Sequence, residues 1–82
     1  MNKPWYVYVV ECSDGSLYTG ITVDIERRVK EHNSSKKGAK YTKSRRPVHL
    51  VYSETLECRS SASKRESVIK KLSRLEKLNL IK

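Results

Sequence analysis

A small α/β fold of the α+β type is predicted, a three-stranded sheet with helices against it in the order β-β-α-β-α. Three observations predict it. Two β-prone runs, residues 5–10 and 17–21, flank a short turn; residues 22–32 carry apolar side chains at helical spacing; and a third β-prone run, 48–52, precedes a C-terminal stretch of helical periodicity. At 82 residues the chain is expected to form one domain, 1–82, near the size at which burial alone is marginal.

In residues 5–10 every side chain is aromatic or β-branched, residues 17–21 alternate apolar and polar, and Ser13-Asp14-Gly15-Ser16 supplies the turn of a hairpin. Tyr6, Tyr8 and Val10 share one face, Trp5, Val7 and Val9 the other, and Tyr18 points opposite to Leu17 and Thr19. Either face can be the core one. Residues 22–32 open with capping-type residues and early acids, and Ile25 with Val29 forms the stripe to be buried. Arg28 and His32 lie one turn apart on one helix face beside that stripe, able to lean over the hairpin. A basic, turn-rich loop follows at 33–38, then a helical turn across 39–44. Pro47 opens the third strand, which the hairpin needs because two strands alone are rarely stable. Ser60 or Ser61 is expected to cap a helix whose apolar side is Ala62, Ile69 and Leu72, with Val68 beside it. Ser73-Arg74-Leu75-Glu76 reads as a capping box, at which the helix breaks and restarts.

The net charge is +9, and residues 27–46 carry nine Lys/Arg against Glu31 alone, residues 59–77 seven against Glu66 and Glu76. Such a face attracts polyanions, most often nucleic acid, with an affinity that falls steeply in salt; a merely solubilising surface is the alternative. No apolar run approaches the roughly 20 residues of a spanning helix, and the N-terminus lacks a basic-then-apolar leader, so neither membrane insertion nor export is expected. Cys12 and Cys58 stand outside any CxxC or His-rich pattern, which argues against zinc and for a reduced, cytoplasmic setting, with Cys12 read as a packing residue.

The chemistry-bearing residues are the strings Tyr6-Val7-Tyr8 and Tyr18-Thr19-Gly20, followed by Arg28 and His32. If the strings are paired strands and the next segment a helix across them, phenols, a guanidinium and an imidazole converge in a set suited to phosphodiester chemistry. Glu66 lies within Lys64-Arg65-Glu66, with Lys70 one turn on. A carboxylate among cations suits one hard divalent ion that keeps most of its waters. On spacing alone the simpler reading is an i,i+4 ion pair between Glu66 and Lys70, worth about 0.2–0.5 kcal/mol.

These residues, in this order over nearly the whole chain, resemble the GIY-YIG nuclease family, with Tyr-Val-Tyr for the first signature and Tyr-Thr-Gly for the second. The Asp24-x-x-x-Arg28-x-x-x-His32 helix, the basic segment with Tyr41 and the Arg65-Glu66-x-x-Ile69-Lys70 helix complete the match, closest to the short stand-alone, UPF0213-like proteins of bacteria. The resemblance implies that Tyr8 and Tyr18 activate and position the attacking water, that Arg28 stabilises the phosphate's developing charge, that His32 relays or orients a proton, and that Glu66 binds Mg²⁺ or Mn²⁺. Which phenol is the base stays open. Nucleic acid, DNA foremost, is expected against Arg27, Lys36, Lys37, Lys40, Tyr41, Lys43, Arg45, Arg46 and Lys70, with Tyr41 either stacking on a base or packing. The first signature lacks its glycine, Thr19 replaces an isoleucine, and Asn79 is the sole match for a C-terminal asparagine many family nucleases use. Two readings follow: a metal-dependent endonuclease whose specificity comes from elsewhere, such as a protein partner, or a nucleic-acid-binding module with the fold but little catalysis. The joint presence of Tyr8, Tyr18, Arg28, His32 and Glu66 favours the nuclease.

Overall fold

The β-branched run at the start of the chain becomes the central strand. In a computed structural model that describes residues 3–34 and 36–82, β1 (Trp5–Glu11) lies between β2 (Leu17–Thr22) and β3 (His49–Leu56), antiparallel to both. Helices α1 (Ile25–Ser34), α2 (Lys40–Lys43), α3 (Arg59–Lys70) and α4 (Arg74–Ile81) complete the order β-β-α-α-β-α-α. The predicted α+β architecture is therefore the observed one.

Both faces of β1 are core. Val7 and Val9 pack with Ala62 and Ile69 of α3, and Leu80 and Ile81 of α4 close the same cluster. Tyr8 and Val10 form a second cluster with Cys12 and Val48, against which Tyr18 and Val29 of α1 lean. A strand covered on both sides needs an unbroken apolar run, which residues 7–10 provide.

The hairpin turn forms as expected, with Gly15 at φ +83°, a value that favours glycine, and the Asp14 carboxylate accepting the Ser16 N–H at 3.0 Å. Strand β3 runs further than 48–52, because Ser53, Glu54 and Thr55 continue the ladder opposite Tyr8, Val7 and Tyr6 despite their polarity. Helix α1 begins at Ile25, its N-cap being Asp24, whose Oδ1 accepts the Arg27 N–H at 3.1 Å. It also takes in Asn33 and Ser34 of the expected loop; Ser35 of that loop lies outside the described residues. Asn33 ties α1 to the start of β3, accepting the Val48 N–H at 2.6 Å and donating to the Val48 carbonyl at 2.9 Å. Helix α3 starts earlier than expected: its N-cap is the extended Cys58 rather than Ser60 or Ser61, and the Ala62 N–H already bonds the Cys58 carbonyl at 3.1 Å. The capping box is as predicted, with Ser73 N–H to Glu76 Oε1 at 2.9 Å and Glu76 N–H to Ser73 Oγ at 3.2 Å. Among the described residues no helix is long and apolar enough to cross a membrane.

Candidate active site

The site is built around one crossing. Tyr8 stands opposite Gly20 in the β1–β2 register, and a Cβ on residue 20 would sit 2.6 Å from Tyr8 Cζ. Only glycine lets the phenol lie across edge strand β2. The close approach expected at Gly20 for a helix or substrate is made by Tyr8 itself.

Helix α1 brings His32, not the Ile25–Val29 pair, to the fully buried position; those two are only half-buried. Its Nε2 lies 2.8 Å from the Tyr8 hydroxyl and its Nδ1 2.9 Å from Thr42 Oγ1, while Thr42 donates its hydroxyl proton to the Ala39 carbonyl at 2.9 Å. With that proton committed, Thr42 Oγ1 can only accept, so the network assigns the imidazole proton to Nδ1 and leaves Nε2 as acceptor for the phenol. The Ala39 N–H also points at Nδ1, but at 3.4 Å it is the longest of these contacts. Burial pushes the Tyr8 phenol up to about 12, against the lowering effect of the Arg28 guanidinium, and burial with Arg28 and Arg46 pushes the His32 imidazole down to about 4. The pair therefore rests as phenol and neutral imidazole across the physiological range.

Around it lies a ladder of rings. Tyr18 meets His32 edge-on at 5.3 Å between centroids and stacks on Tyr41 at 5.8 Å, and the Arg45 guanidinium sits 4.0 Å over the Tyr41 ring. Arg45 also reaches the Asp14 carboxylate at 3.1 Å, so the hairpin turn anchors the outer end of the ladder. Arg28 lies close enough to the phenol to act on its charge, and Glu31 Oε1 at 2.9 Å and the Lys37 carbonyl at 2.9 Å hold it. Its side chain is 26% exposed against 69% for Arg27, as their offset around the helix requires.

Glu66 comes from the opposite helical layer, and its carboxylate is near enough to raise the Tyr8 phenol. The i,i+4 pair with Lys70 forms at 3.4 Å. Among the described residues no three His, Cys, Asp or Glu side chains converge on one point, so a multi-ligand site of the zinc type does not fit. One carboxylate near the Tyr8 phenol fits a hard cation that keeps its water shell.

The remaining expected contact residues divide. Lys36, Lys40 and Lys43 are exposed, whereas Arg45 is spent on Tyr41 and Asp14, and Arg46 Nε donates to the His32 carbonyl at 2.5 Å. Asn79 is exposed on α4. Thr42, Glu31 and the Glu54–Arg65 pair escaped the sequence reading. Glu54 receives Arg65 bidentately at 2.8 and 2.9 Å and also bonds the Tyr52 hydroxyl, which pins α3 to β3 and so sets the azimuth of Glu66. No local spacing signals a threonine ten residues from its histidine or a carboxylate eleven from its arginine.

A family profile described as the GIY-YIG catalytic domain matches residues 4–79. The chain belongs to the GIY-YIG family. It is 64% identical over 95% of its length, and 71% of the relative's, to the UPF0213 protein DP2720 of Desulfotalea psychrophila. It is 65% identical over 94% of its length to a UPF0213 protein of Syntrophus aciditrophicus, covering 88% of that chain. Among solved structures, the UPF0213 protein BH0048 of Bacillus halodurans matches with a TM-score of 0.60 at 46% identity, over 95% of this chain and 82% of that one. The protein EF2693 of E. faecalis matches with a TM-score of 0.63 at 45% identity, over 96% and 84% of the two chains. GIY-YIG domains are nuclease domains that generally use a divalent metal, and membership points to nuclease-type chemistry on nucleic acid; the UPF0213 names carry no particular activity.

Proposed function

We propose that this GIY-YIG domain is a metal-dependent endonuclease that hydrolyses phosphodiester bonds in DNA. The observation that carries the reading is the Tyr8–His32 hydrogen bond at 2.8 Å with the Arg28 guanidinium and the Glu66 carboxylate both acting on the same phenol. A buried phenol held near 12 does not serve as a free phenolate at neutral pH. It serves as a relay: the attacking water gives its proton to the Tyr8 oxygen as the phenol's own proton passes to His32 Nε2. Arg28 pairs with the scissile phosphate and faces its developing charge. That pairing offsets the cationic effect by which Arg28 depresses His32, so a bound phosphate raises the imidazole's proton affinity at the moment it is needed. Tyr18, edge-on to His32, orients the water or a phosphate oxygen. Glu66 would hold Mg²⁺ or Mn²⁺, which supplies charge stabilisation at the reacting phosphate.

The second reading, a binding module with little catalysis, draws on the engagement of Glu66 by Lys70. Incubating the protein with branched, nicked and single-stranded DNA, with and without Mg²⁺ or Mn²⁺, separates the two. The nuclease reading expects metal-dependent cleavage that Glu66→Ala abolishes while binding is kept or improved, since a negative charge leaves a basic face. Cleavage by Glu66→Ala at the wild-type rate would remove Glu66 from its role, and no cleavage of any substrate by the wild type would leave the binding module.

A further inference from the structure

A groove of about 260 Å³ opens beside Arg28, at the N-terminal end of α1. Trp5, Ile21 and Val23 form its apolar lining, and Asp24, Arg27 and Arg28 its polar one. The apolar half sets it apart. The neighbouring hollow along α1, lined by Glu26, Lys30 and Ser34 together with Asp24, Arg27 and Glu31, has no apolar side chain. Val23 is 43% exposed, and Trp5 is only half-buried although it packs against the α3-side cluster. None of the roles assigned above uses an exposed valine beside a tryptophan.

The polar groups of the groove are only partly spent. Asp24 Oδ1 accepts the Arg27 N–H at 3.1 Å, while Oδ2 makes no hydrogen bond among the described residues. The Trp5 indole N–H makes none either, and the ring's cation–π partner, the Arg59 guanidinium 5.8 Å from its centroid, comes from α3 and lies outside the groove. An aromatic wall beside an unspent carboxylate oxygen suits a planar heterocycle, whose ring stacks on the indole and whose exocyclic amino group donates to the carboxylate. The volume falls just under the roughly 300–1,000 Å³ of pockets for drug-sized ligands, so it takes one ring system rather than a chain of them.

Arg28 joins the groove to the site, because the same guanidinium lines the one and acts on the Tyr8 phenol in the other. Val23 is three residues along the chain from Gly20, which puts it at most roughly 10 Å from the point where the phenol crosses. A phosphate held by Arg28 therefore has the base of an adjoining nucleotide within reach of the groove. We propose that the groove is a nucleobase subsite, in which Trp5 and Val23 take one unstacked base beside the scissile phosphate and Asp24 favours bases with an exocyclic amino group, cytosine over thymine. This rests on the nuclease reading and specifies its substrate as a strand with an unpaired nucleotide at the cut, since a paired base enters such a groove only by leaving its stack.

The test compares octamers of dC, of dT and of abasic sugars with the same phosphates, in EDTA so that nothing is cleaved. Trp5 is the only tryptophan of the chain, so its fluorescence reports the groove directly. The base-bearing octamers are expected to quench it and to bind roughly 5–100-fold more tightly than the abasic one, dC about 5-fold more tightly than dT. Trp5→Leu, which keeps the core side apolar, should lower the ratio of base-bearing to abasic affinity about 5-fold or more, read by anisotropy of labelled octamers. Asp24→Asn caps a helix equally well and presents an NH₂ where Oδ2 was, so the preference for dC should pass to dT. Should Trp5→Leu fail to fold by circular dichroism, the wild-type quenching and Asp24→Asn carry the test. Quenching by the abasic octamer equal to that by dC and dT, or a base preference untouched by Asp24→Asn, overturns the subsite and leaves the nuclease reading intact if the wild type cleaves with Mg²⁺. No cleavage of any substrate withdraws the nuclease reading, and base-dependent quenching then places the subsite on a binding module.

Discussion

Thr42→Val isolates the contact that orients the phenol–imidazole pair. The substitution keeps the shape of a fully buried side chain but strips Nδ1–H of His32 of its acceptor at 2.9 Å, while the Ala39 carbonyl loses the hydroxyl at 2.9 Å and keeps the backbone N–H groups of Thr42 and Lys43. Leaving a buried donor unsatisfied costs about 1–3 kcal/mol. For a domain of this size that lowers Tm by roughly 5–20 °C. The imidazole has one escape. The Ala39 N–H, already 3.4 Å from Nδ1, can take over if the proton moves to Nε2, and the phenol then accepts from His32 instead of donating to it. A relay in which Tyr8 passes a proton to Nε2 is blocked in that tautomer. Loss of an orienting partner of this kind costs on the order of 10–100-fold in activity. Long-range ¹⁵N–¹H correlation spectra distinguish the two tautomers, with His49 on the surface as internal reference. Thr42→Ser, which restores the hydroxyl, is expected to recover the wild-type tautomer and most of the rate. A Thr42→Val protein with unchanged Tm and Nδ1 still protonated would refute the network as described.

Arg28→Ala is expected to cost roughly 10²–10³ in single-turnover rate, the size of one lost transition-state donor. Arg27→Ala, on the exposed side of α1, should affect mainly affinity and its salt dependence, and equal rate losses for the two would show that charge rather than placement matters. Gly20→Ala forces a Cβ against the Tyr8 ring; it should destabilise the fold by about 1–3 kcal/mol and drive the phenol from His32, so a variant with wild-type Tm and cleavage would contradict the crossing. Stability should follow pH on two sides. His32, near 4 when folded and 6.5 when free, binds its proton more readily in the unfolded chain, so its contribution is full above 6.5 and is lost as pH falls towards 4. Tyr8, near 12 when folded and 10.0 when free, keeps its proton longer in the folded protein, so its contribution is full below 10 and is lost as pH rises to 12. Chemical denaturation over the pH range checks both, and a flat acid limb between 6.5 and 4.5 would contradict a buried neutral His32.

What the sequence made legible follows from the range of the interactions. The hairpin and the Ser73 capping box rest on neighbours within a few residues and appear where propensity and spacing put them, and the third strand forms there too but runs on to Leu56. Helix α3 starts ahead of the expected Ser60 or Ser61 cap because several capping-type side chains compete there. The chain settles the contest by which carbonyl first meets an amide four residues on, and at α3 that is Cys58. Which face of the hairpin is buried was open in the residues alone, since both faces of 5–10 are apolar; α3 and α4 on one side and α1 on the other cover both.

The site was legible as residues and not as a proton arrangement, and the reason is physical. His32 at helical spacing from Arg28 reads as a relay or as a surface histidine until burial is known, because an imidazole's free value near 6.5 does not fix its charge. Three long-range facts decide it. Thr42, ten residues away, is satisfied by Ala39 and can only accept; Gly20, on another strand, lets the phenol reach Nε2; and Arg28 and Arg46 add positive field to a group already desolvated. Together they make the histidine neutral and aim its lone pair at Tyr8, while the same burial keeps the phenol protonated. The consequence for chemistry is that neither group is a competent base alone. In the proposed relay, a phosphate seated on Arg28 offsets part of the positive field on His32, while burial, the larger cause of the lowered imidazole, remains.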